Sequence, residues 1–329
     1  MKHFDFVIIG EGIAGLYAAF LLSKSFPQKK IALVSDSSAF PPCSYRTTAV
    51  VSNSGISLGV SDLGDLLFHA HAAFVEHVES VRPEGIYHGT RYHLSTDGCQ
   101  AFIKRWPDYE RKKLSLLKSE MFVSQEPCYL IDPHEYLSFL KKFSNTEFIQ
   151  DIVFEVDEHV VRGNKTLLKG EKILIMNGAF QLKNPIKFNL KPQDEFYLKG
   201  NRIVPGKFAL FQLMNLGEES FVLSHGRNNL IYRSWSQEVL IGGTTNKNES
   251  MEDAGELDEM IQFYRNLCSF ELPMPVHVDT GLRMKGMKRE PRWLSINDYT
   301  FALWGSYKNG WSLPHYFLKQ FVIREKESG

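Results

Sequence analysis

The rhythm of apolar and polar positions changes several times along the chain, and each change marks an element. Phe6-Val7-Ile8-Ile9 is an unbroken apolar run, as a parallel strand buried on both faces requires. Ala14 to Lys24 follows without a breaker, which predicts a helix. Ile31-Ala32-Leu33-Val34 reads as a second strand. Beyond residue 60 the pattern turns helical from Leu63 to Val81. Later it becomes strand-rich, in Asn201 to Leu213, Phe221 to Leu223, Asn229 to Ser234 and Glu238 to Gly243. A last helix is expected over Ser312 to Arg324. A strand–helix–strand unit interrupted by a β-rich block predicts two domains, and 329 residues suffice to bury a core in each.

Three glycines stand between the first strand and its helix. Gly10, Gly12 and Gly15 give the spacing G-x-G-x-x-G. Gly10 permits a tight turn, Gly12 lets the backbone approach a pyrophosphate, and Gly15 lets the helix pack closely on the strand. Ile13 and Ala14 open the helix, whose first N–H groups and partial positive charge suit phosphates. An acid that holds the ribose is expected at the end of the second strand. Ser35 occupies that place and Asp36 comes one residue late, so either Asp36 reaches the ribose or Ser35 makes a weaker contact. No second glycine fingerprint follows, and the chain does not continue as alternating strands and helices. That organisation favours FAD over a pyridine nucleotide.

Composition narrows the picture further. Lys+Arg and Asp+Glu both number 38, so the whole chain has no net attraction to nucleic acid or anionic lipid. The basic run Lys104 to Lys113 reads as a solvated face and is the one stretch suited to touching RNA. The four cysteines, Cys43, Cys99, Cys128 and Cys268, form no C-x-x-C pair, which argues against a zinc or dithiol site and for a reducing, cytoplasmic setting. Among the histidines, His69 and His71 fall in a helical run and His88 and His93 near a strand, without metal-ligand spacing, so no metal is assigned. Neither a secretory leader nor a membrane span is expected.

Several segments downstream carry a resemblance. They are YRTTAV (Tyr45 to Val50), LIDPHEYLSFL (Leu130 to Leu140), DIVFEV (Asp151 to Val156), ILIMNGAF (Ile173 to Phe180) and IVPGKFALF (Ile203 to Phe211). LIYRSWSQEVLIGGTT (Leu230 to Thr245), TGLRMKGMKREP (Thr280 to Pro291) and GSYKNGWSLPHYF (Gly305 to Phe317) complete the set. In order and spacing the chain resembles the D-amino-acid oxidase/glycine oxidase family of FAD-dependent oxidoreductases. It departs from the family pattern at Met284 and Lys288.

The resemblance implies an α/β fold. A Rossmann-like FAD-binding domain of the glutathione-reductase type (residues 1–85, 130–200 and 275–329) is interleaved with a smaller antiparallel-sheet substrate domain (86–129 and 201–274). It places Arg46, Thr47 and Thr48 beside the flavin and Val153 at the adenine. Asn177 and Gly178 return to the nucleotide, and Gly281, Asn309, Gly310, Trp311 and Ser312 flank the flavin. Arg283 would pair a substrate carboxylate through two parallel bonds, Lys308 would stabilise charge on the reduced ring, and Tyr232 and Trp235 would line the pocket or pack in the core.

The implied activity is oxidation of the C–N bond of a small-molecule amine, most simply an amino acid. A hydride would pass to N5 of non-covalent FAD, and oxygen or another acceptor would reoxidise the flavin. Two alternatives share the fold. One is an oxidoreductase that trims a modified wobble uridine in tRNA, and the other is a flavin-binding protein without turnover.

Overall fold

The computed structural model describes residues 1–328 apart from 55, 57, 213–214, 227 and 245–254. Leu213, which ends an expected β segment, and Thr245, which ends the LIYRSWSQEVLIGGTT segment, lie outside the described residues.

The chain opens with β1 (Lys2–Ile9), α1 (Ile13–Ser25), β2 (Ile31–Ser35), the short β3 (Val50–Val51) and α2 (Asp62–Val81). Next come β4 (Ile86–Ser95), α3 (Gln100–Arg105), β5 (Glu110–Lys112) and β6 (Met121–Ile131). A third stretch holds α4 (Pro133–Lys142), β7 (Glu147–Gln150), β8 (Val153–Asp157), β9 (Val160–Gly163), β10 (Leu167–Ile175), α5 (Phe180–Lys183) and α6 (Pro192–Lys199). Then follow β11 (Arg202–Gln212), β12 (Ser220–His225), β13 (Asn228–Arg233), β14 (Glu238–Gly242) and α7 (Gly255–Leu267). The last elements are β15 (His277–Lys285), β16 (Arg292–Ser295), β17 (Thr300–Trp304) and α8 (Leu313–Ser328).

Two sheets organise these elements. The first runs β16-β17-β10-β1-β2-β7, with β9 and β8 attached to β10. Its strands β17, β10, β1, β2 and β7 are mutually parallel. The apolar run of β1 explains its central place, since Val7 and Ile8 are fully buried between neighbours on both sides. The second sheet runs β15-β11-β14-β13-β12-β4-β6-β3, with β5 on β6. It is antiparallel except where β12 pairs with β4. This is the α/β architecture with a second, largely antiparallel sheet that the resemblance implies.

The glycine turn works as its spacing requires. Gly10 adopts φ +113°, and a Cβ there would stand 2.7 Å from the Met176 carbonyl oxygen. A Cβ on Gly15 would stand 1.8 Å from the Gly10 carbonyl oxygen, so α1 can pack this closely only with glycine at that position. At the start of α4, Asp132 Oδ1 accepts from His134 N at 2.9 Å and Glu135 N at 3.1 Å, with Pro133 in the first turn.

Sheet membership departs from the expected segment boundaries at three places. β3, β15 and the last two residues of β6 belong to the second sheet, whereas the expected nucleotide domain takes in residues 1–85, 130–200 and 275–329. For β15 the cause is a long ladder with β11, from Arg202↔Lys285 to Leu210↔His277. The last helix runs from Leu313 to Ser328, a turn beyond the expected end, and packs against α1 and α2.

One face of the second sheet is covered by α7, whose Leu257, Met260, Ile261 and Tyr264 join Phe211, Leu223 and Tyr232 in one apolar cluster. The opposite face carries a smaller cluster that includes Val222, Ile231 and Leu240. Among the described residues, no helix is long and apolar enough to cross a membrane.

Candidate active site

Residues from both sheets line one cleft of about 860 Å³. That size falls in the range of about 300–1,000 Å³ usual for ligand sites. At one end stand Gly10, Gly12, Ile13 and Ala14 from the glycine turn, Ser35 and Asp36 from the end of β2, and Val153 from β8. Asn177 and Gly178 follow β10 on the same wall. The middle is formed by Thr47, Thr48, Asn309, Gly310, Trp311 and Ser312. The other end holds Arg283, Tyr307 and Lys308, with Asn229, Ile231 and Gly243 from the second sheet.

The first end has the features a dinucleotide needs. Gly12 is the N-cap of α1 and makes no side-chain cap bond. Ser44 Oγ accepts from Ile13 N at 3.0 Å, which leaves the rest of the first turn to other acceptors. A Cβ on Gly178 or Gly310 would meet nothing within 4 Å, so both leave bare main chain facing open space. Asn177 Oδ1 is buried without a hydrogen-bond partner, while its Nδ2 donates to Gln181 Oε1 at 2.8 Å. An orphaned acceptor and bare backbone on the same wall fit a large polar ligand with donors of its own.

Asp36 and Ser35 both border this end, and the structure shows how the acid is occupied. Asp36 Oδ1 accepts from Ser38 Oγ at 2.5 Å, Ser38 N at 3.1 Å and Ala39 N at 3.2 Å, so it caps the local turn. The Ser38 hydroxyl, with help from Ala39 N, holds its carboxyl below the ordinary value.

At the far end Arg283 is set into the wall. Its Nε donates to the Val204 carbonyl at 3.3 Å, and Nη2 donates to those of Pro205 at 2.9 Å and Thr244 at 2.5 Å. Gly206 makes the room, since a Cβ there would stand 2.4 Å from the Arg283 Cζ. The guanidinium lies 5.1 Å from the centre of the Tyr307 ring. Burial lowers its pKa, opposed by the nearby Tyr307 and Cys43. Among the described residues only Nη1 lacks an acceptor. The two parallel bonds expected from the sequence are therefore not on offer here, and one nitrogen with two N–H groups is.

Five residues named from the sequence do not line the cleft. Arg46 turns outward, and its Nε pairs with Asp279 Oδ2 at 3.5 Å. Gly281 is covered by the loop that holds Arg46, and a Cβ would stand 2.3 Å from the Arg46 carbonyl oxygen. Gly15 serves packing of α1 on the turn. Tyr232 is fully buried on the α7 side of the sheet, donating to the Gly217 carbonyl at 3.0 Å and accepting from Leu216 N at 3.3 Å. Strand alternation explains this, because the neighbouring Ile231 is the residue that faces the cleft. Trp235 stacks on Tyr87 with ring centres 3.8 Å apart.

Tyr307, Arg91, His71 and Arg105 also line the cleft; the sequence predicts neither of the first two there, and reads His71 as a helical residue and Arg105 as part of a solvated basic face. Tyr307 takes φ +45°, a strained conformation for a non-glycine residue that is worth attention beside a site. An arginine within an otherwise aromatic and half-buried strand was the signal available for Arg91. Cys43 borders the cleft as well, and burial pushes its thiol up to about 11, which keeps it protonated and a poor nucleophile.

The sequence matches no protein-family model and no curated protein. Solved structures match over nearly the whole chain. A glycine oxidase from Geobacillus kaustophilus superposes with a TM-score of 0.74 at 15% identity, covering 99% of this chain and 95% of its own. An iminodiacetate oxidase from a Chelativorans species gives a TM-score of 0.79 at 13% identity, covering 96% and 94%. The L-α-glycerophosphate oxidase of Mycoplasma pneumoniae, solved with FAD bound, gives 0.72 at 12% identity, covering 98% and 94%. The chain thus has the fold of the D-amino-acid oxidase/glycine oxidase structures, as its sequence motifs imply. At these identities the likeness establishes the fold.

Proposed function

We propose that the chain is an FAD-dependent oxidoreductase acting on the C–N bond of an amine, most simply an amino acid. The observation that carries this reading is the continuity of the cleft. One space runs from the glycine turn, past the start of α8, to a chamber walled by Arg283 and Tyr307. Gly10, Gly12 and the first turn of α1 would hold the pyrophosphate, with Ser35 or Asp36 at the ribose and Val153 near the adenine. Asn177 would receive a hydrogen bond from the ligand at Oδ1.

When bound, FAD supplies the hydride acceptor that turns an amine into an imine, which water then hydrolyses. The chain's own residues orient and desolvate the reactants. Arg283 presents Nη1 to a substrate anion from a rigid seat of three carbonyls. The N-terminus of α8, with Ser312 on the cleft, and the Lys308 ammonium favour negative charge in the middle of the cleft. Trp311 and Leu303 supply apolar walls that exclude water. Oxygen is the simplest acceptor for the second half of the cycle, FAD is non-covalent, and four cysteines free of disulfides fit a reducing, cytoplasmic setting.

The purified protein should be yellow and release FAD on denaturation. Anaerobic addition of amino acids and simple amines should bleach the flavin absorbance with at least one of them, while NADH should not. Colourless protein after reconstitution with FAD would end the reading, and colour that no amine bleaches would leave a flavin-binding protein without turnover.

A further inference from the structure

A second guanidinium is built into the cleft wall. Arg91 lies in the middle of β4 and lines the cleft. Its Nε donates to Ser224 Oγ at 3.0 Å, Nη1 to Ser52 Oγ at 2.9 Å and Nη2 to Asn229 Oδ1 at 3.2 Å. All three acceptors are neutral. A guanidinium has five N–H donors, so two of these have no acceptor among the described residues. No carboxylate stands within ion-pair distance of Arg91 among the described residues. Glu126 is near enough to act on it electrostatically, but its Oε1 is engaged by His93 Nε2 at 3.0 Å. Arg105 lines the cleft too.

The two cationic positions are distinct. A Cβ on Gly243 would stand 3.8 Å from Asn229 Nδ2, and the next carbonyl, that of Thr244, holds Arg283. Arg91 is held through Asn229 and Arg283 through Thr244, so each guanidinium has its own seat on the cleft wall. A buried cation is costly unless an anion meets it. Here the fold seats one on side chains from three segments of the second-sheet region and turns it to the cleft.

We propose that Arg91 forms a second anion subsite, which reads an anionic group at the far end of the amine substrate. The inference rests on the oxidoreductase reading and deepens it. The substrate class becomes an amine or amino acid carrying a distal carboxylate or phosphate.

The test uses FAD-loaded protein and matched amines that differ only in the far group, either carboxylate, phosphate or methyl. Anaerobic binding is read from the perturbation of the flavin spectrum and, independently, by calorimetry. The anionic members should bind about tenfold to hundredfold tighter than the methyl member, as charge-assisted hydrogen bonds allow. Whichever anion binds tighter identifies the source. Arg91→Gln should bring the ratio close to one, and Arg91→Lys should recover part of it. Equal binding of all three by the wild type overturns the proposal, as does a ratio unchanged in Arg91→Gln. If neither variant folds, the wild-type ratio decides. Anion-selective binding with no bleaching by any amine would instead count against the oxidoreductase reading and leave the subsite standing.

Discussion

The two ends of the cleft are made of different material. At the α1 end, Gly10, Gly12 and Gly178 present main chain, and the shape of the wall follows from the absence of side chains. At the β15 end, Arg283, Tyr307 and Arg91 present large side chains whose positions depend on other residues. A backbone cradle is fixed by the turn itself. A side-chain wall is fixed by its supports, so it loosens when one of them is lost.

The sharpest way to break the contrast is Arg283→Ala. Removing the guanidinium leaves a substrate anion unpaired, at about 2–5 kcal/mol. That corresponds to roughly 30- to 4,000-fold in kcat/KM. It also strips the carbonyls of Val204, Pro205 and Thr244 of their donor, so the melting temperature should fall as well. FAD content should hardly change. Arg283→Lys should restore little, because one ammonium cannot serve three carbonyls and the cleft together. Equal losses for an amino acid and its decarboxylated amine would assign Arg283 to structure.

Gly12→Val attacks the other end. A branched side chain at the helix N-cap would meet Ser44 Oγ, already 3.3 Å from an added Cβ, and crowd the turn. Overpacking of this kind costs about 1–3 kcal/mol, or roughly tenfold to hundredfold in FAD affinity. Equilibrium dialysis measures it, and stoichiometric FAD in the variant would exclude this turn as the cradle.

Acid should act on the helices that carry α8 to the cleft. His77 of α2 is packed against Tyr17 and His315, and burial pushes it down to about 4. A histidine depressed in the fold resists protonation that the unfolded chain accepts. Stability is therefore complete above about pH 6.5 and declines as the pH falls toward 4, by up to about 3 kcal/mol. Thermal melts across that window should show the loss, and His77→Phe should lessen it, with the neighbouring His315, also held down by burial, keeping part of the acid dependence.

The smallest effect is expected at Tyr232. Tyr232→Phe removes a buried hydroxyl from the Gly217 carbonyl and should cost about 1 kcal/mol of stability while leaving kcat/KM in place. A large loss of kcat with an intact fold would return Tyr232 to the site.

What could be read from the sequence follows the same division. The glycine turn was legible because its chemistry depends on a residue type at fixed spacing along one segment. The end of β1 and the extent of α1 followed from unbroken apolar patterning to within a residue, whereas β1 starts at Lys2, four residues before the apolar run. Tyr232 was misplaced by a parity of one, since alternation along β13 puts Ile231 on the cleft and Tyr232 on α7, and nothing in the hairpin says which face is which. Arg46 and Gly281 sit in the right segments, yet the contact between them covers one and turns the other away. Arg91 escaped notice because its partners, Ser52, Ser224 and Asn229, come from distant parts of the chain.

The late position of β15, β17 and α8 bears on how the protein is made. β15 extends the second sheet beside β11, β17 sits beside β10 in the first, and α8 leans on α1 and α2, which are among the earliest elements. A nascent chain that lacks its last fifty or so residues therefore misses part of both sheets and, apart from Thr47 and Thr48, the middle of the cleft. Ligand capture during synthesis must wait for the final helix to leave the ribosome. Until then the glycine turn near residue 10 is a half-built cradle, and α1 lacks the helix that covers it in the finished fold.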